Sequence, residues 1–470
     1  MIDLVTIDAG VARASREVAG KSTYDAVLAL EVGPIQAPHR AALLRWIHEL
    51  VQRRIGADLA EEEAEREVAE DPALAKARGP VAVARTYDEA RRGLLIAPNV
   101  VELEKTLGRM GELADPIAAV RRERRMRRFE IARRLGLDHP WALALDGGVA
   151  TVSAVATAVL DATEPLARDL HKRHGASPAR SIEDAFARDA REGWPARLTP
   201  RWLEDVFRTV VPRPPKGGAA DGGAHAGSRG AEGGAADGGA HAGSRGAEGG
   251  AFVGARARGA ADGGAFVLPM AIGGASFLRA AADWGFAARV ASTARSLPFA
   301  LARDPAPTEA FLHGDLLALA LASRAFAKRK LGLPARAADA HARVLARASF
   351  FTLRALAAVA WLGRGESATD DEIEHVSARL FGRPLARGLG VAWANGGFSG
   401  RCRDDVPARL AAAVRAFGAA TDLVERHDED WFDNPRAAAR LAHVAAGPVW
   451  QGDEPTGIDR IARTFEETLG

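Results

Sequence analysis

A 16-residue unit, GGAADGGAHAGSRGAE, stands twice in unbroken succession at 217–232 and 233–248, and a decayed third copy runs to about Ala265. Glycine, alanine and small polar residues dominate it, so the segment cannot bury enough apolar surface to offset the entropy of ordering it. Pro212, Pro214 and Pro215 lead into it. A disordered Gly/Ala-rich insert is therefore expected at 213–266, dividing the chain into an N-terminal half (1–212) and a C-terminal half (267–470). Lengthening a surface loop adds little closure entropy, so a fold tolerates such a duplication. The apolar positions of the unit are too irregular for a solenoid repeat. Any core must come from the flanks, with the two halves packing together.

Both flanks read as helices. The hydrophobic fraction of 47% is carried mainly by Ala, Leu and Val, while aromatics make up 6% and only two Tyr occur, a balance that favours helix over sheet. Leu43, Leu44, Ile47, Leu50 and Val51 fall on one stripe of the stretch 41–51, the i, i+3, i+4, i+7, i+8 pattern of a core-facing helix. Similar periodicity predicts helices over 161–174, 277–294, 311–331, 335–362 and 408–427. Thr199 before Pro200 has the form of an N-cap followed by proline at the first helical position, and Asp370-Asp371-Glu372 forms an acid-rich first turn. Strand-like runs, Leu4 to Ile7 and Val27 to Val32, suffice for one hairpin. The expected fold class is all-α, a large multi-helix body interrupted by the insert.

Cys402 is the only cysteine, which excludes an intramolecular disulfide scaffold and fits a reducing compartment. The N-terminus has Asp3 and no basic region followed by an apolar one, so it does not read as a signal peptide. No uncharged apolar run approaches the roughly 18 residues of a membrane span. The expected location is the cytoplasm. With 63 basic and 61 acidic residues the net charge is +2, which provides no overall field for nucleic acid or anionic lipid.

Several clusters have the residue types of a chemical site. Gly20-Lys21-Ser22-Thr23 ends like a phosphate-binding loop, but Ser15 stands where its first glycine belongs, and a capping role fits better. His48-Glu49-Leu50-Val51-Gln52 is one residue from the HExxH zinc motif; Gln52 replaces the second imidazole with a poor ligand, so a packed His48 is expected. His171 and His174 are spaced for a metal, but Lys172 and Arg173 between them repel a cation, and a helix end closing at Gly175 accounts for the same residues. Glu309, His313 and Asp315 share one short stretch, with Asp339 and His341 further on. In a helical hairpin turning near Pro334, residue 313 lies roughly 30 Å from the turn and His341 about 10 Å, which argues against a shared site. The metal candidates are thus His48, His313 and His341, with zinc the implied ion.

Arg121 to Arg134 is the densest basic run and has the charge to contact phosphates. Glu123 and Glu130 interrupt it, and the expectation is a solvated helix face with Met126 and Phe129 turned inward. Trp393-Ala394-Asn395-Gly396-Gly397-Phe398 is either a binding loop or an ordinary turn.

Gly274-Ala275-Ser276-Phe277 through Leu297-Pro298-Phe299, Phe311 and Leu331-Gly332-Leu333, together with Asp430-Trp431-Phe432-Asp433-Asn434-Pro435-Arg436, resemble helical segments of zinc metallopeptidases of the thimet-oligopeptidase and oligopeptidase F type. The resemblance covers about a third of the chain. It implies an intracellular, nearly all-helical scaffold around a channel. The family's HExxH helix is missing: His313-Gly314-Asp315-Leu316-Leu317 stands near its place with at most one ligand and no matching general base, so no catalytic residue carries over. The sequence reading is a non-catalytic helical protein that binds peptide or protein, a metallopeptidase-like scaffold without its zinc site. Its alternatives are a metal-dependent hydrolase using dispersed histidines and nucleic-acid binding through Arg121 to Arg134.

Overall fold

The computed structural model describes residues 93–94, 97–112, 122, 125–126, 129, 133, 139, 141, 148–187, 190, 193–194, 199–211, 274–292, 308–394, 406–445 and 454–470. Among these residues there is no strand. The elements are α1 (Val100–Glu112), α2 (Gly148–Ala162), α3 (Glu164–His174), α4 (Pro178–Phe186), α5 (Pro200–Phe207), α6 (Gly274–Ser292), α7 (Thr308–Ala322) and α8 (Arg324–Arg329). There follow α9 (Ala335–Leu362), α10 (Asp370–Phe381), α11 (Arg387–Ala394), α12 (Val406–His427), a 3-10 turn (Trp431–Asp433), α13 (Pro435–Ala445) and α14 (Glu454–Leu469). The all-α expectation is met. The Gly/Ala repeats, both strand-like runs and the 41–51 stripe lie outside the described residues.

Helix α9, about 42 Å long at 1.5 Å per residue, is the centre of the body. It packs against α2, α4, α6, α7, α8, α10, α12 and α14, and its bounds are those the periodicity predicts. It is long and apolar enough to cross a membrane, but Arg347 and Arg354 interrupt it and its surface is occupied by other helices. Elements on both sides of the insert share each of the three main cores. Phe207 and Phe277 belong to one, Val155 and Leu356 to the second, and Leu103 and Ile373 to the third.

Two predicted helices are each divided in the structure. The run 161–174 bends by 48° at Thr163, between α2 and α3. Pro165 explains it: the ring has no N–H for the preceding turn and clashes with its carbonyl. Thr163 Oγ1 donates to the Val159 carbonyl oxygen at 2.6 Å, beside the Thr163 backbone N–H at 3.2 Å. The run 311–331 breaks at Ser323, whose hydroxyl accepts from the Phe326 amide at 3.1 Å and starts α8. Hydroxyl side chains compete locally for backbone groups, and here that competition sets the boundary. Thr199 and Thr369 act as the caps expected, the latter in a full capping box with Glu372.

The bend serves a buried charge. Arg354 on α9 is wholly buried; its guanidinium donates to Leu160 O (3.0 Å), Thr163 Oγ1 (2.6 Å), Glu164 Oε2 (2.9 Å) and Arg379 O (2.8 Å). Arg379 adds bonds to Glu164 (3.1 Å) and Asp161 (2.8 Å), tying α10 to the same bend. Burial alone would raise the Glu164 carboxyl, but the two guanidinium groups outweigh it and hold it below its ordinary value.

Helices α6 and α7 approach closely at two glycines. A Cβ on Gly314 would lie 2.4 Å from the Ala282 carbonyl oxygen, and one on Gly285 would lie 2.9 Å from Gly314 Cα. Neither contact can relax by moving a side chain. Gly314→Ala is expected to lower stability in urea by about 1–3 kcal/mol, the usual cost of overpacking. Gly108→Ala, on the exposed face of α1 with open space around it, should raise stability by about 0.5–1 kcal/mol. Equal effects at the two sites would show that the α6–α7 approach is not tight.

Candidate functional site

Helices α6, α7, α9 and α12 enclose a partly open cavity of about 700 Å³, counting its mouth. Helical spacing brings its lining together. Ala275, Leu278, Arg279 and Ala282 come from α6; Asp315, Ala318 and Leu319 from α7. Helix α9 contributes Ala348, Ser349, Thr352, Leu353 and Leu356, and α12 contributes Ala413, Ala416 and Phe417, with Ala185 of α4 at the edge. Seven of these are alanines. Side chains that short leave space between helices that Leu or Phe would fill. The polar groups are few: Arg279, Asp315, Ser349 and Thr352.

Asp315 dominates the electrostatics. It is half-buried, and among the described residues nothing donates a hydrogen bond to its carboxyl. Burial pushes its pKa up to about 7, while the Arg409 guanidinium pulls it the other way. Arg409, on α12, is 2% exposed and lies over the Phe311 ring at 4.6 Å. Arg279 pairs at 3.7 Å with Asp283, one turn further along α6.

The sequence candidates go to separate places. Glu309 bonds Arg289 at 3.0 Å, and His313 Nδ1 donates to the Gly285 carbonyl oxygen at 2.9 Å. Gly285 O can only accept, which fixes that proton on Nδ1. Asp315 meets the cavity, so three residues within one stretch point to three environments. His341 is buried, and its ring lies 5.1 Å from Trp194; among the described residues neither His341 Nε2 nor Trp194 Nε1 has a hydrogen-bond partner. No group of three or more His, Cys, Asp or Glu suited to a metal occurs among the described residues. His48 and the Gly20–Thr23 loop lie outside them.

His171 and His174 stand in the last turn of α3, which ends at Gly175 with φ +91°. In the arginine run, Phe129 is buried as expected, but Met126 is 57% exposed and Arg125 takes the inward place. Arg125 donates to the carbonyl oxygens of Leu362 (2.6 Å) and Gly365, capping α9. Capping oxygens reward a guanidinium that reaches inward, whereas a thioether has nothing to give them. Arg133 pairs with Glu366. Trp393 is a core residue packed on Phe381 at the end of α11, not a loop aromatic; residues 395–398 lie outside the described set.

His139 was not singled out in the sequence. Its Nε2 donates to the Gly363 carbonyl oxygen at 3.0 Å and its Nδ1 accepts from the Trp141 amide at 2.9 Å. Its contact with the end of α9 spans more than 200 residues of chain, so no local pattern marks it.

Burial lowers His139, His313 and His341 each to about 4. In the unfolded chain they titrate near 6.5, so between pH 6.5 and about 4 the unfolded state binds protons that the folded state refuses. Each then removes up to about 3 kcal/mol of stability as pH falls. Asp315 acts with the opposite sign: raised to about 7, it destabilises the fold above that pH and relaxes as it protonates. Urea denaturation should show stability falling below pH 6.5, with Asp315→Asn more stable than the native chain at pH 8. That difference should narrow through pH 7 and vanish near pH 4; a pH-independent difference would contradict the assignment.

Compared with family models, curated proteins and solved structures, the chain matches none, which bears neither for nor against the oligopeptidase resemblance.

Proposed function

We propose that this is a non-catalytic helical binding protein whose ligand occupies the cavity between α6, α7, α9 and α12. The observation that carries the reading is the cavity itself, walled by alanines and leucines with a few convergent polar groups, the usual make-up of a small-molecule site. Its largely apolar lining suits a small, largely apolar molecule or one bulky peptide side chain. The sequence expectation of a peptide or protein ligand narrows accordingly. His313 and His341, as placed, support packing roles and not a hydrolase site. A reducing, cytoplasmic setting, inferred from the lone Cys402, belongs to the same proposal.

Ala348→Phe and Ala413→Phe test this by filling the cavity from α9 and α12. The native protein is expected to bind a neutral solvatochromic dye saturably, one per chain. Each variant should weaken that binding at least about tenfold, equivalent to about 1.4 kcal/mol, with helicity by circular dichroism retained. Dye affinity unchanged in both variants would place the site elsewhere.

A further inference from the structure

The cavity is chemically one-sided. Its walls are apolar apart from two hydroxyls, one arginine and one acid. Arg279 is drawn to Asp283, so an incoming anion would compete with an existing partner. Asp315 receives no hydrogen bond among the described residues. Arg409 contributes charge from α12, but its guanidinium lies over Phe311 and no hydrogen bond joins it to Asp315. The half-buried carboxyl therefore keeps its lone pairs open toward the cavity, where a charged donor can replace water.

We propose that the cavity selects a small apolar molecule bearing a protonated amine, its ammonium donating to Asp315 and its apolar body lying along the alanine and leucine walls. A charge-assisted bond from an ammonium is about twice as strong as one from a neutral donor. An anionic ligand would instead face the Asp315 carboxylate. Burial pushes the Asp315 pKa up to about 7, and a nearby cation favours its charged form. This inference rests on the cavity being the binding site.

The test is displacement of the neutral dye from the full-length protein at pH 8 by 4-phenylbutylamine, 4-phenylbutanol and 4-phenylbutyrate, which share one apolar body. The amine is expected to displace at about tenfold lower concentration than the alcohol, a difference of about 1.4 kcal/mol, with the carboxylate weakest. In Asp315→Asn the amine-to-alcohol ratio should fall to within about twofold. Equal displacement by amine and alcohol in the native protein, or a preference that persists in Asp315→Asn, overturns the amine proposal while leaving the cavity as a site. Dye and amine binding that Ala348→Phe leaves intact overturns the cavity reading itself. Should Asp315→Asn fail to fold, the order of the three compounds on the native protein decides alone.

Discussion

A guanidinium with no access to water has to find oxygens within the protein, and Arg354 imposes that requirement on the helix around which the body is built. Four acceptors, from the α2–α3 bend and from α10, meet its two terminal nitrogens, while Nε has no partner among the described residues. An unsatisfied charge there would cost several kcal/mol, so the placement of α2, α3 and α10 against α9 is specified by hydrogen-bond geometry and not by apolar area alone. Pro165 is the local cause. By interrupting the helix it creates the bend from which Leu160, Thr163 and Glu164 all reach the same side chain.

The cavity depends on small residues used in two ways. At Gly285 and Gly314 the absence of a side chain lets α6 and α7 approach until backbone meets backbone. Along the neighbouring faces of α6, α9 and α12, alanines are too short to fill the space between helices, so a void remains. Small residues thus set both a backbone-to-backbone contact and the opening beside it. Asp315 is next in sequence to Gly314, which places the acid one helical step from the crossing and on the face that turns to the void.

Much of the fold was legible because its signals are local. The bounds of α9, the caps at Thr199 and Thr369 and the end of α3 at Gly175 follow from residues within one turn. The failures were also informative. The periodicity of 161–174 and 311–331 continues across Thr163 and Ser323, so apolar spacing alone hides breaks that backbone chemistry imposes. Met126 has the more apolar side chain, yet Arg125 is the one buried, because the inward position is next to the carbonyl end of α9. Trp393 looked like a loop residue owing to the glycines after it, while its neighbours in space are Phe381 and the α10–α11 core.

By itself the sequence determined the helical class and several helix ends, among them the bounds of α9 and the starts of α5 and α10, since each depends on propensity or capping within a few residues. It also brought Glu309, His313 and Asp315 together as a group. Only the tertiary structure separated them, giving Glu309 to Arg289, His313 to Gly285 and Asp315 to the cavity. Neighbours on a helix point about 100° apart, and what each side chain meets is set by helices distant in sequence.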